Sequence, residues 1–116
     1  MSNHHKINYV ELPAQNIAAT KAFFTKAFGW SFQDYGPEYC AIQDAGLDGG
    51  FYHADLKASQ AEGSALVVLY SDHLEDSLKA VQEAGGTIIK DIFSFPGGRR
   101  FHFIEPSGNE FAIWGE

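Results

Sequence analysis

Two stretches of this chain carry the same strand–helix pattern. Shifted by 57 positions, Val10 falls on Val67, Leu12 on Leu69, Ala27 on Ala84 and Gly29 on Gly86, and Asn16 lands near a helix cap at His73. For the strands that close each half the shift becomes 62, because the second half has a longer loop, "SFPGG". Tyr39 then falls on Phe101, Ile42 on Ile104, Gly46 on Gly108 and Tyr52 on Trp114. A repeat of this period means two copies of one supersecondary unit, each needing a neighbour to bury its apolar face.

Hydrophobic period supplies the elements of the unit. "INYVEL" alternates as a strand does. "NIAATKAFFTKAFG" puts Ile17, Phe23, Phe24, Ala27 and Phe28 on a helical face, with Asn16 as N-cap and Gly29 as the stop. Short strands follow at "SFQDY", "YCAIQD" and "GGFYH". After the polar link "ADLKASQAEGS" comes a strand, "ALVVLY". A helix over "DHLEDSLKAVQEAGG" places Asp72 as N-cap with Glu75 three residues on, a capping box, and Gly85 at its end. "TIIKDIF", "RRFHFIE" and "EFAIWG" close the chain. The order is β-α-β-β-β twice, an α+β chain with one module over about 6–57 and a second over about 63–116. Phe23, Phe24, Phe28, Leu78 and Val81 are expected to pack the two helices onto the sheets.

Composition narrows the function. The 116 residues fit one domain with a real core. Net charge is −7 with only eight Lys plus Arg, which argues against nucleic acid or an anionic membrane as partner. The one cysteine, Cys40, suits a reducing compartment. The opening residues show no secretion signal, and "ALVVLY" is far too short to span a bilayer. A cytoplasmic protein is expected.

Strand alternation assigns faces. A turn centred on Ser107-Gly108 pairs Phe103 with Ala112 and Ile104 with Phe111, and sets His102 opposite Ile113 on the helix side. Val10, Leu12, Val67, Leu69, Ile104, Phe111 and Ile113 then face the helices, with Cys40 as inert packing. The other face carries Tyr9, Glu11, Tyr39, Tyr52, Tyr70, Phe101, Phe103, Glu110 and Trp114 around Ala41, Gly50 and Ala112. Aromatic rings around small residues make either a ligand-binding concavity or a second packed layer.

"INYVELPAQNIAATKAFFTKAFGW" and "GGRRFHFIEPSGNEFAIW" together resemble the glyoxalase / bleomycin-resistance / extradiol dioxygenase superfamily, the vicinal oxygen chelate proteins, over Ile7 to Trp114. The resemblance is nearest to small members related to lactoylglutathione lyase. It implies that the paired modules form curled mixed sheets with helices on the convex face and a cup that often holds a divalent metal. The family's metal-ligand positions, carried over, are Tyr9, Gly50, Leu66 and Ala112. Gly, Leu and Ala offer no side-chain donor and a neutral Tyr is a poor one, so the metal-dependent lyase and dioxygenase chemistry of the family is not expected.

No cofactor and no metal site are expected, since His102 faces away from Glu110 in this pairing and His53 stands at a strand end. Glu11 projects among aromatic rings. It is the candidate base, or it pairs with Arg99 or a tyrosine hydroxyl and supports the wall. Arg99 and Arg100 follow two glycines and are placed to meet an anionic group or solvent. The expected ligand-binding set is Tyr9, Glu11, Tyr39, Tyr52, Tyr70, Phe101, Phe103 and Trp114. The expected function is binding of an aromatic or amphipathic small molecule by a homodimer. The alternatives are a metal-free lyase or isomerase with Glu11 as base, or an enzyme resembling glyoxalase I or a dioxygenase with relocated metal ligands.

Overall fold

The structure, a computed structural model, describes residues 3–116. The expected element order is present: β1 (Tyr9–Ala14), α1 (Ile17–Phe28), β2 (Ser31–Asp34), β3 (Tyr39–Gln43), β4 (Asp48–His53), β5 (Val67–Tyr70), α2 (Leu74–Glu83), β6 (Thr87–Phe95), β7 (Gly98–Ile104) and β8 (Glu110–Gly115). Two four-stranded sheets form, in the orders β1-β4-β3-β2 and β5-β8-β7-β6. In each, the first strand pairs in parallel with the last and the remaining pairs are antiparallel. A 3-10 turn at Gln60–Glu62 lies in the segment between the sheets. Among the described residues no helix is long and apolar enough to cross a membrane.

Helix α1 begins where Asn16 Oδ1 accepts the Ala19 N–H at 3.0 Å, and it ends at Gly29 in the left-handed conformation. Helix α2 departs from the expected capping box. It starts one residue later, with His73 as N-cap and no side-chain cap bond. Glu75 is drawn instead to Arg99, 2.6 Å away.

The core is shared by both halves because α1 packs on both sheets. The Phe24 ring stacks on Trp30 at 4.4 Å and lies 5.7 Å from Phe51 in the first sheet and 5.0 Å from Phe111 in the second. Phe23 lies 5.7 Å from Phe103. From α2, Leu74 and Val81 are buried, and Phe28 and Leu78 pack half-buried against the same cluster.

The closing hairpin differs from expectation by one residue. Phe103 pairs with Phe111, His102 with Ala112, Phe101 with Ile113 and Ile104 with Glu110. The cause is a three-residue loop, Pro106 to Gly108. The Gly108 N–H bonds to the Glu105 carbonyl at 2.7 Å, Gly108 sits at φ +92°, and the Glu105 N–H bonds to the Asn109 carbonyl at 3.1 Å. This is a three-residue hairpin loop, a β-turn over Glu105 to Gly108 closed by a left-handed glycine. In the first half Ile42 pairs with Gly49 across a longer loop. Strand β4 therefore maps onto β8 with a shift of 62, while β3 maps onto β7 with a shift of 61. A one-residue slip turns every side chain of a strand over. Phe101 and Phe103 belong to the buried core, and His102 and Ile104, expected on the helix side, lie on the face carrying Glu110 and Ala112.

Candidate ligand-binding site

On the outer face of the first sheet, β1 supplies Tyr9 and Glu11, β3 supplies Tyr39, and β4 supplies Gly50, the register partner of both Glu11 and Ala41. The Tyr39 ring lies over Gly50, where a Cβ would collide with its hydroxyl. That hydroxyl stands 2.6 Å from the Tyr9 hydroxyl and donates to Glu11 Oε2 at 3.0 Å. Burial, then the hydrogen bonds and charge of Tyr9 and Glu11, push the Tyr39 hydroxyl far above the usual phenol range. It stays protonated at neutral pH and serves as a donor. Tyr52 is the register partner of Tyr39 on the same face.

Between β1 and β5 runs a cleft of about 800 Å³. Leu12, Trp30, Val67 and Phe111 line its apolar depth, and Tyr9 and Tyr70 also border it. Each flanking strand is paired on one side only, so the cleft runs between two open backbone edges.

The second sheet carries its own aromatic group. Tyr70 and Trp114 meet edge-on at 5.0 Å, and Phe95 lies 6.4 Å from Trp114. The expected ligand set is thus distributed over three places. Tyr9, Glu11, Tyr39 and Tyr52 share the first sheet's face; Tyr70 and Trp114 share the second's; Phe101 and Phe103 are in the core. Sequence reasoning missed Trp30 as a cleft residue, although "FGW" placed it at the helix exit. It also missed the pairing of His102 with Glu110, because the slipped register hid it.

The remaining candidates have partners of their own. Arg99 makes a two-pronged bond to Glu75 on α2, and Glu11 takes its partner from Tyr39. His53 stands 3.6 Å from Glu38 on the surface. Cys40 is fully buried and its thiol is pushed up by burial, as inert packing requires.

The turn after β7 fastens the site to the helices and linker. Glu105 accepts from the Thr20 hydroxyl, the Ser107 N–H, the Asn109 N–H and the Asn109 amide. Burial outweighs these donors, and its carboxyl is raised above the usual range. Asn109 also donates to the Pro13 carbonyl at 2.6 Å and accepts the Ala58 N–H at 2.7 Å. One side chain thereby ties β8, the end of β1 and the linker together.

A divalent metal at the family position does not fit these residues. Tyr9, Gly50, Leu66 and Ala112 offer one hydroxyl between them, and that hydroxyl is engaged by Tyr39, whose ring fills the space over Gly50. Among the described residues no group of three or more His, Cys, Asp or Glu stands close enough together to hold an ion.

Comparison with known proteins agrees with the fold. The profile of the Glyoxalase/Bleomycin resistance protein/Dioxygenase superfamily matches residues 6–113. The anthracycline biosynthesis protein DauV of Streptomyces sp. (strain C5) is 26% identical over 124 aligned positions, covering 91% of this chain and 45% of that protein, so the chain spans less than half of that relative. A glyoxylase-like domain-containing protein of Didymella fabae is 27% identical, covering 95% of this chain and 93% of its own length. Among solved structures, a glyoxalase-related enzyme from Fulvimarina pelagi superposes with a TM-score of 0.79 at 16% identity, over 97% of this chain and 88% of that one. The antibiotic-binding protein TnmS3 from Streptomyces sp. CB03234 gives 0.71 at 18% identity, over 99% and 98%. The profile spans nearly the whole chain and both βαβββ units are in place, so this protein belongs to the glyoxalase/bleomycin resistance protein/dioxygenase superfamily.

Proposed function

We propose that this protein binds a small aromatic or amphipathic organic molecule, without a metal ion, in the cleft between β1 and β5. The observation that carries this reading is the cleft itself. Its 800 Å³ lies within the range of small-molecule pockets, and it joins an apolar depth at Leu12, Trp30 and Phe111 to a polar lip at Tyr9. A planar apolar body would lie against Trp30, and a polar substituent would meet Tyr9 and, beyond it, Tyr39 and Glu11. That TnmS3 is an antibiotic-binding protein supports the same class of ligand.

Metal independence rests on the donor set, in which Tyr39 takes the space a metal would need. A homodimer belongs to the same reading: β1 and β5 each leave an edge unpaired, and Val68 and Tyr70 on β5 are exposed. The buried free thiol of Cys40 suits the cytoplasm.

A second reading, a metal-free lyase or isomerase, is favoured by the Tyr39 hydroxyl donating to the Glu11 carboxylate, an acid and a base side by side. A thermal-shift screen of metal-stripped protein against aromatic and amphipathic compounds tests the binding reading. Hits that raise the melting temperature of the stripped protein support it, and a response only after metal is restored counts against it. Glu11→Gln separates the two readings. Loss of affinity alone fits binding; unchanged affinity with product formation abolished fits the enzyme.

A further inference from the structure

The outer face of the second sheet holds a polar cluster that the cleft does not use. Glu110 Oε1 accepts the Gln60 backbone N–H at 3.0 Å, and Glu110 Oε2 lies 2.8 Å from His102 Nδ1. Burial pushes this carboxyl up, but the hydrogen bonds from His102 and Gln60 and the nearby charge of Lys90 outweigh it, leaving it below its usual value. The carboxylate only accepts, so His102 Nδ1 carries the hydrogen and Nε2 is the ring nitrogen left for a further partner.

His102 is fully buried, yet its Nε2 has no hydrogen-bond partner among the described residues. Arg100, two residues away on the same strand face, is half-buried, but its Nε atom is buried and likewise has no partner. Buried polar atoms are paired in the great majority of native structures, so two orphans side by side point to a partner.

The cover over them is aromatic. The Phe93 ring lies 5.8 Å from the His102 ring, and the Arg100 guanidinium lies 5.5 Å from the Phe93 centroid and 5.6 Å from that of Phe95. Phe93 is 36% exposed. It stands on β6, an edge strand whose register with β7 shifts between Ile88 and Lys90 and again between Lys90 and Phe93. Phe93 is itself in register with Arg100, so uncovering the pair needs only rotation of its side chain.

We propose that this face is a second ligand subsite, taking a planar aromatic molecule whose hydroxyl donates to His102 Nε2 and whose acceptor oxygen meets Arg100, once Phe93 moves aside. Glu110 fixes the histidine tautomer, so the subsite prefers a hydroxyl to its methyl ether. The flanking rings of Phe95 and Trp114 hold the aromatic body.

The test uses 2-naphthol and 2-methoxynaphthalene as probes with the wild-type chain. Nitrogen-15 NMR of the histidines reads His102 directly, and the two indole N–H signals separate this face, at Trp114, from the cleft, at Trp30. 2-Naphthol should shift His102 Nε2 and Trp114, and calorimetry should show it binding about 3- to 10-fold more tightly than the ether. His102→Gln should erase that preference. Phe93→Ala, which removes the cover and leaves the dyad, should tighten 2-naphthol and keeps the test open if the histidine variant does not fold. Equal affinities for the two probes, or no response at His102, overturn the proposal. A response at Trp30 alone also overturns it, and leaves the cleft reading standing. A response at His102 with Trp30 silent supports the subsite whatever becomes of the cleft.

Discussion

Tyr39 lies across Gly50, and the two positions are sterically exclusive: a methyl group at Gly50 would collide with the Tyr39 hydroxyl. Gly50→Ala should therefore displace the tyrosine and break its bonds to Tyr9 and Glu11, at a cost of about 1–3 kcal/mol by overpacking. In a Tyr39→Ala background the same change should cost less, leaving only the crowding of the Cys40 carbonyl, 2.9 Å from the added carbon. Urea denaturation of both single variants and the double variant checks this through the coupling energy. Strict additivity would contradict the contact.

Phe24 is the ring that touches both sheets. Truncation to Ala should destabilise the protein by about 3–5 kcal/mol, since the site is fully buried. Phe28→Ala, at a half-buried ring on the same helix, should cost less. Chemical denaturation that ranks the two the other way would mean that α1 does not sit between the sheets.

Much of this architecture was legible in the sequence because its signals are local. The period of "NIAATKAFFTKAFG", the Asn16 cap and the Gly29 stop each act within one helix, and the repeat placed a second helix by analogy. The face of β7 was not legible. It depends on whether the loop before Asn109 holds three residues or four, and the repeat suggested the wrong count because the first half uses a longer loop. Gly108 in its left-handed conformation settles the register. From that single residue follow the burial of Phe101 and Phe103 and the meeting of His102 with Glu110. Trp30 escaped notice for a different reason: a cleft between two edge strands is a property of how the sheets are placed, which no strand pattern encodes.

Asn109 closes three contacts at once, so its loss should be felt at the linker. Asn109→Ala leaves the Ala58 N–H and the Pro13 carbonyl without their partner, at about 1–3 kcal/mol for each group that stays buried. Hydrogen exchange at the Ala58 amide should accelerate along with the global loss. An unchanged Ala58 amide would show that the linker is held by other means.

The Glu110 carboxyl sits below its ordinary value in the folded protein, so its ionised form stabilises the fold. That contribution is present above the ordinary carboxylate range and is lost as pH falls through the lowered folded value. Relative to wild type, Glu110→Gln should therefore be destabilised at neutral pH, and the gap should narrow in acid. Denaturant midpoints measured from pH 7 down to pH 3 check the sign. A gap that is constant across this range would mean that charge on Glu110 contributes nothing.

Binding of an organic molecule at Trp30 without a metal is tested most directly by fluorescence titration of a single-tryptophan protein. Trp114→Phe leaves Trp30 as the only indole. Chelator-treated protein of this variant, titrated with the strongest hit of the thermal-shift screen, should show a saturable change in Trp30 emission. The dissociation constant should be unchanged when Zn, Ni, Mn or Fe is added back, and elemental analysis should find no stoichiometric metal. A Trp30 signal that stays flat while the ligand binds, or saturation that appears only with about one metal ion per subunit, would contradict a metal-independent site in the cleft.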